Sequence, residues 1–370
     1  MVFIPCAGTF PATRKFRDFQ KFQSTQISDM RLLLITDAWF PQVNGVVRAL
    51  STTRDRMLAL GHEVEVLAPE RFKSVPCPTY PEIRLALCTP NRLGRIIQEV
   101  EPDAVHIATE GPLGLCARRW LMRHGIAFTT SFHTLFPQYL ELRFGIPQRW
   151  TFKAVRRFHG AAAATMYSTP TLRAMLEQHD FRNLVRWVRG VDTDLFTPGP
   201  GADLALPRPI QLYVGRIAVE KSLEDFLSLD TPGSKVMIGD GPQRNKLEKR
   251  YPKAHFLGTL LGDNLLAHYR AADVFVFPSR TDTLGLVMLE AMACGVPVAA
   301  FPVHGPLDVV GDSAAGVLDD DLATAINKAV GIEAQICRNR ALEFSWDQSV
   351  QEFYHNLVPI DLREVQGETA

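Results

Sequence analysis

Four stretches of this chain place charged or glycine residues where they could do chemistry. The first is Arg280-Thr-Asp-Thr-Leu-Gly-Leu-Val-Met-Leu-Glu290. It follows Phe275-Val-Phe-Pro-Ser279, a buried-type strand running into a loop. Gly285 lets the backbone turn tightly, and residues 286–294 carry a helical pattern. A helix start presents unpaired N–H groups and positive potential, which suits a phosphate, and Leu286 stands at that start. Asp282 lies just before it, and Glu290 lies eight residues later, inside the helix. A buried carboxylate needs hydrogen-bonding partners, and the hydroxyls of a sugar or a ribose would supply them. On spacing alone, an N-cap aspartate and an ordinary helical glutamate account for the pair at least as well.

The second stretch is Tyr213-Val-Gly-Arg-Ile-Ala-Val-Glu-Lys-Ser222. A strand ends at Gly215, and Arg216 and Lys221 follow in the loop. Two cations at the C-terminal edge of a parallel sheet are well placed for a diphosphate, although loops often carry Arg and Lys. The third is Ile238-Gly-Asp-Gly-Pro242, a strand-to-helix turn with Gly239 and Gly241. The fourth is Phe40-Pro-Gln-Val-Asn-Gly-Val47, where Gly45 at a helix start could approach a phosphate or sugar from the opposite wall.

Loops so far apart in sequence meet only if the fold collects them at one sheet edge. Apolar runs of strand length alternate with helical patterns, the signature of a parallel α/β sheet. The runs are 32–35, 64–67, 103–107, 128–132 and 163–168, with a helix over about 46–60 that ends at Gly61. Then the composition changes. Residues 196–209 are rich in proline and glycine and read as a linker. The alternation restarts at 211–214 and continues through 235–238, 255–257, 274–277 and 298–300. Two domains are therefore expected, 30–195 and 210–345, which suits a chain of 370 residues. The last helix, within 346–370, is expected to cross back onto the first domain.

Composition narrows the class. Hydrophobic residues at 46% and charged residues at 22% describe an ordinary soluble domain protein. The formal net charge is zero, so nothing global argues for nucleic acid. The charge is unevenly spread, however. Residues 31–190 are basic in balance, while residues 211–330 hold 11 Lys/Arg against 15 Asp/Glu. That asymmetry can orient a protein on an anionic surface. The six cysteines form no C-x-x-C pair and read as small buried residues in a reducing compartment. No apolar run reaches the roughly 18 residues of a membrane span. Residues 1–29 mix phenylalanine with Arg and Lys without clear periodicity and read as a disordered or over-annotated leader, with Met30 as the alternative start.

Together these motifs resemble the retaining glycosyltransferase family 4 of the two-domain GT-B fold: two Rossmann-like α/β domains with parallel sheets and an interdomain cleft. The resemblance runs from Met30 to about Tyr354. It is carried by the G-R-x-x-x-E-K run at 215–221, the turn at 239–242, the A-D-V-F-V-F-P-S block at 272–279 and the D-T-x-G-L-V-x-L-E-A-M-A-x-G-x-P-V block at 282–298. Asp282 stands where the family more often has glutamate, as in some glycolipid-forming branches, and Leu284 stands where phenylalanine is usual. The resemblance implies that Arg216 and Lys221 hold the diphosphate of a nucleotide-sugar donor and that Glu290 binds the ribose. It implies that Asp282 contacts the transferred sugar, helped by N–H groups near Gly285 and Leu286, with Gly45 against the diphosphate or sugar from the first domain. His133, in Ser131-Phe-His-Thr134, matches the histidine that faces the donor sugar; a loop histidine capping a carbonyl is the plainer reading.

No pair of acid and base carboxylates of the glycosidase kind is evident. That fits a retaining transfer in which the leaving diphosphate helps deprotonate the acceptor. Asp192-Thr-Asp194 mimics a metal-binding D-x-D but reads as a capping turn at the domain junction, so neither an essential metal nor a cofactor is expected. Thr109-Glu-Gly-Pro-Leu-Gly114 and residues 131–139 resemble the branch of bacterial glycolipid glycosyltransferases and α-mannosyltransferases, which makes diacylglycerol or another lipid the leading acceptor. Residues 141–190 add nine Lys/Arg against three Asp/Glu, and the 148–158 segment sets Trp150, Phe152 and Phe158 among Arg149, Lys153, Arg156 and Arg157. Such a helix suits an anionic bilayer, so a cytoplasmic protein peripheral to the inner membrane face is expected. A core-facing helix with a solvated basic side has the same pattern. UDP-hexose is expected ahead of GDP-mannose as the donor. A soluble sugar acceptor and a non-transferase GT-B enzyme, such as a nucleotide-sugar epimerase, are the alternatives.

Overall fold

The computed structural model describes residues 29–360 and 362, apart from 43 and 78–79. The expected leader lies, except for Asp29, outside the described residues. The first sheet is wholly parallel, with strand order β2-β1-β5-β6-β7-β8. Its strands are β1 (Arg31–Ile35), β2 (Glu63–Leu67), β5 (Ala104–Ile107), β6 (Thr129–Ser131), β7 (Ala164–Tyr167) and β8 (Leu184–Arg186). A separate antiparallel hairpin, β3 (Ser74–Cys77) and β4 (Tyr80–Ala86), interrupts the alternation.

Crossover helices follow the strands. In this half they are α1 (Gly45–Ala59), α2 (Pro90–Val100), α3 (Pro112–Arg123), α4 (Phe136–Phe144), α5 (Gln148–His159) and α6 (Pro170–Gln178). β5 (Ala-Val-His-Ile) and β7 (Ala-Thr-Met-Tyr) show no polar alternation because helices cover both faces of a parallel sheet. All four residues of each are buried. Helix α1 is capped by Asn44, whose side chain accepts from Val46 and Val47 N–H at 3.0 Å. Helix α3 is capped from a distance: buried Asp37, after β1, accepts from Leu113 N–H at 3.0 Å and from the Thr109 hydroxyl at 3.0 Å.

The second sheet repeats the plan, with parallel order β11-β10-β9-β12-β13-β14. Its strands are β9 (Ile210–Val214), β10 (Ser234–Ile238), β11 (His255–Gly258), β12 (Val274–Phe277), β13 (Val298–Ala300) and β14 (Gly316–Leu318). Its helices are α7 (Leu223–Leu227), α8 (Arg244–Arg250), α9 (Gly262–Ala271), α10 (Leu286–Ala293), α11 (Pro306–Val309), α12 (Leu322–Ala329) and α13 (Ala334–Leu342). The strand order reverses direction between β9 and β12. In open α/β sheets, ligands bind outside the carboxyl ends of the strands at such a point.

The chain then returns. Helix α14 (Trp346–Asn356) packs on the first sheet, with Phe353 fully buried among Leu32, Leu34 and Trp187. Along its length it meets the segment after β8. The Trp187 indole N–H donates to Ser349 Oγ at 3.2 Å, and Val188 N–H donates to Glu352 at 2.9 Å. Arg56 of α1 pairs with Asp347. The cysteines differ from the expected buried set. Cys294 and Cys337 are buried, Cys77, Cys88 and Cys116 are only half-buried, and Cys6 lies outside the described residues.

Candidate active site

The loops after β9 and β10 are stitched together by backbone bonds, and side-chain hydroxyls tie in the loop after β12. Gly215 N–H donates to Ile238 O at 2.9 Å, and Ile217 N–H donates to Asp240 O at 2.9 Å. Gly239 runs at φ +133° with Gly215 O only 1.9 Å from where a Cβ would stand, so no side chain fits there. Gly241 packs in the same way on Ile217 O. The Ser279 and Thr281 hydroxyls donate to Glu220 O at 3.4 and 3.1 Å, tying the β12 loop to Glu220 and Lys221.

This stitching sets Lys221 against Asp282. The ammonium donates to both carboxylate oxygens, at 2.6 and 2.7 Å, and both side chains are largely buried. Burial opposes the charge on Lys221, but Asp282, Tyr139 and Tyr213 outweigh it and hold the ammonium above its ordinary range. Arg216 is half-buried next to this pair, close enough to act on the Tyr139 and Tyr213 phenols. Its carbonyl accepts from the Tyr213 hydroxyl at 2.8 Å. Burial pushes the Tyr139 phenol up to about 12, with Lys221 opposing.

Gly285, at φ +85°, turns the chain into α10. The start of α10, at Leu286, has no side-chain cap, and although Met288 N–H donates to Gly285 O at 2.9 Å, the Leu286 and Val287 N–H groups at the helix start can meet an anion. Glu290 is buried on the second turn of α10. Its Oε1 pairs with Arg48 of α1 at 2.5 Å, and its Oε2 accepts from the Tyr269 hydroxyl at 2.8 Å. Burial raises the Glu290 pKa, and Arg48 and Tyr269 pull it back.

Other contacts cross between the domains. Arg143 of α4 pairs with buried Glu220 at 2.6 Å, and Thr171 at the start of α6 bonds Asp308. The Thr283 hydroxyl donates to His133 O at 2.8 Å, and the Ser168 hydroxyl donates to Thr283 O at 3.3 Å. His133 follows β6, and its Nδ1 faces the Arg189 guanidinium at 2.7 Å. Its side chain therefore does not cap a carbonyl through Nδ1. Gly45 begins α1, and a side chain there would meet open space.

Of the residues singled out from sequence, Gly215, Arg216, Lys221, Gly239, Gly241, Asp282, Gly285, Leu286 and Glu290 lie on adjoining loops and a helix start of the second domain. His133 abuts them through Thr283, and α1, which begins at Gly45, abuts them through Arg48. Arg48, Tyr139, Arg143, Arg189 and Tyr269 were missed. Arg48 had a usable signal, because it lies in the first turn of a helix whose start was already under suspicion. Tyr269 had none, being one aromatic on an amphipathic helix. Asp192 closes a turn by accepting from Asp194 and Leu195 N–H at 3.2 and 3.0 Å. A surface hollow of about 540 Å³ lies at the opposite edge of the first sheet, lined by Arg31, Glu63, Glu101 and Asp103. It is remote from these loops.

Comparison with known proteins places the chain in a family. Residues 43–195 match the family described as Glycosyltransferase Family 4, and residues 208–331 match Glycosyl transferases group 1. The chain is 32% identical over 319 residues to a GDP-mannose-dependent alpha-mannosyltransferase of Mycolicibacterium smegmatis, covering 79% of this chain and 84% of that protein. It is 25% identical over 369 residues to the alpha-monoglucosyldiacylglycerol synthase of Streptococcus pneumoniae, covering 88% and 83%. Among solved structures, the sucrose-phosphate synthase of Thermosynechococcus elongatus superposes with a TM-score of 0.74 at 20% identity, over 88% of this chain and 97% of that one. At that identity the likeness speaks for the GT-B fold alone.

Proposed function

The chain belongs to glycosyltransferase family 4, and from that premise we propose that it moves a hexose from a nucleoside-diphosphate sugar to a lipid acceptor at a membrane surface. Retention at the anomeric carbon goes with the family. The observation that carries the donor reading is the meeting of Arg216, Lys221, Asp282 and the uncapped start of α10 at the strand-order reversal. Arg216 and Lys221 would neutralise the diphosphate, Glu290 would accept from the ribose hydroxyls, and Asp282 would accept from the sugar.

Chemically, the anomeric C–O bond to the diphosphate breaks and a bond to the acceptor oxygen forms on the same face. The acceptor proton passes to the departing phosphate oxygen. The protein's part is positioning and stabilisation of the leaving charge. One such charge donor is worth roughly 3–4 kcal/mol of barrier.

Two features support a lipid acceptor: the resemblance to the alpha-monoglucosyldiacylglycerol synthase, and the exposed face of α4 and α5. There Leu142, Phe144 and Trp150 are exposed, with Trp150 at 60%, among Arg149, Lys153 and Arg157. No helix of the described residues is long and apolar enough to cross a membrane, so the reading is peripheral attachment. The higher identity to the mannosyltransferase weights GDP-mannose above the UDP-hexose expected from sequence. Nucleotide release from a panel of UDP- and GDP-hexoses, crossed with diacylglycerol, a glycolipid and soluble sugars, tests the whole reading. Turnover only with soluble sugars would overturn the lipid part. Conversion of the donor without any acceptor, giving an isomeric sugar, would overturn transfer itself.

A further inference from the structure

Beyond β8 the chain turns through Trp187-Val188-Arg189-Gly190, and Arg189 is only 4% exposed. Its guanidinium donates to Trp187 O at 3.1 Å, lies over the Trp187 indole at 4.3 Å, and donates to His133 Nδ1 at 2.7 Å. None of these partners is a carboxylate. Burial lowers the guanidinium to about 9, which leaves it charged at neutral pH. The segment is fixed from behind by α14 through Trp187 and Val188. At Gly190 a side chain would strike the Trp346 backbone N at 2.3 Å.

A guanidinium carries N–H donors and no acceptor. The Nδ1 atom facing it must therefore present its lone pair, which puts the ring proton of a neutral His133 on Nε2. Protonating His133 would set a second cation beside the first. Burial first, then Arg189, His106 and His159, hold the His133 pKa well below the ordinary histidine range. Those groups come from the β8 loop, β5 and α5, and His159 is itself paired with Glu110. The second domain faces His133 with the uncharged Thr283. His133 Nε2 is buried and has no partner among the described residues. A buried donor left unsatisfied is costly, so an acceptor atom that arrives with a ligand has a place waiting.

We propose that Arg189 is a positioning residue: it fixes His133, which the family resemblance already sets against the donor sugar, as an uncharged Nε2–H donor. The identity of the ligand rests on the donor-site reading above; the tautomer does not. A neutral ring orients a sugar hydroxyl without competing with Arg216 and Lys221 for the diphosphate.

Long-range ¹H–¹⁵N correlation of the imidazoles in the full chain reads the tautomer directly, with His133→Gln identifying the resonance. The wild-type ring is expected to carry its proton on Nε2 and not to titrate between about pH 5 and 8. Arg189→Met removes the facing donor but leaves the burial, so the His133 ring should titrate at higher pH than in the wild type and should no longer be held to Nε2–H, with Nδ1–H populated. Arg189→Lys, which keeps a charged donor, should keep the Nε2–H tautomer. His133→Gln should retain more activity than His133→Ala, since an amide N–H can stand in for Nε2–H. A wild-type ring protonated on Nδ1, or titrating near about 6.5 with Arg189 in place, overturns the proposal whether or not sugar transfer is found. Absence of transfer with every donor, alongside the Nε2–H tautomer, overturns the sugar-hydroxyl role and the donor reading but not the positioning role. If Arg189→Met fails to fold, the wild-type spectrum alone decides.

Discussion

Arg48, in the first helix of one domain, holds the Glu290 carboxylate of the other at 2.5 Å, while Tyr269 occupies its second oxygen. A ribose that comes to Glu290 must share or displace these partners. Donation from hydroxyls prefers the ionised carboxylate, so nucleotide affinity should fall as pH drops through the Glu290 pKa. Burial raises that pKa and Arg48 opposes the rise. Arg48→Ala should therefore move the loss of affinity to higher pH. Calorimetric titration with the bare nucleotide across the acid range checks this, and superimposable profiles for wild type and variant would refute it. Glu290→Ala should weaken the bare nucleotide and the sugar nucleotide alike.

The Lys221–Asp282 pair leads to a division of labour. Arg216→Ala and Lys221→Ala should each lower turnover by at least about a hundredfold with the fold intact, the usual loss for one charge donor at a developing anion. Asp282→Ala should weaken the sugar nucleotide more than the bare nucleotide, because its expected partners are hexose hydroxyls. Steady-state kinetics with parallel binding of both ligands separates these effects. Equal losses for both ligands in the Asp282 variant would contradict the assignment.

The product formed from an α-linked donor should itself be α-linked, and the coupling of its anomeric proton in NMR decides the matter. EDTA should leave the rate nearly unchanged. A loss restored only by Mn²⁺ or Mg²⁺ would reopen a metal role for Asp192 and Asp194, whose turn geometry argues otherwise.

Vesicles containing anionic lipid should retain the enzyme, and high salt should release it. Each basic residue near such a surface contributes roughly 1 kcal/mol, and the screening length shrinks from about 10 Å at 0.1 M salt to about 3 Å at 1 M. On α5, Phe152 and Phe158 face the core while Trp150 faces outward, so Trp150 emission should shift to the blue on binding. Replacing Arg149, Lys153, Arg156 and Arg157 with glutamine should lower vesicle binding and leave nucleotide binding normal. Arg156 already pairs with Asp180 at 2.5 Å, so it should contribute least of the four. Undiminished binding by the quadruple variant would remove α5 as the contact.

Much of the sheet architecture was legible because parallel strands buried on both faces leave nearly unbroken apolar runs, as 104–107 and 274–277 do. Two of the four edge strands, β8 and β14, were not. Leu184–Arg186 and Gly316–Leu318 are three residues long and partly exposed, too short for a period to register. The β3–β4 hairpin was missed for a related reason, since Pro76 and Pro81 obscure its alternation. Second-domain site residues were legible because their glycines and charges are contiguous in sequence. Arg48, Arg143 and Arg189 act across 242, 77 and 56 residues respectively, and nothing local marks an arginine as the partner of so distant a group.

The return of α14 to the first sheet has a bearing on how the chain is made. The first domain's strands are complete by residue 186, yet the wall that covers Leu32, Leu34 and Trp187 arrives with Phe353. At translation rates of about 5–20 residues per second, that interval lasts roughly 8–33 s. For all of it the nascent first half carries a bare apolar face on the ribosome, open to chaperones, until the second domain has emerged. Separate expression of residues 30–195 should therefore yield a fragment that clings to chaperones or aggregates, and supplying a peptide of residues 346–360 in trans should make it soluble.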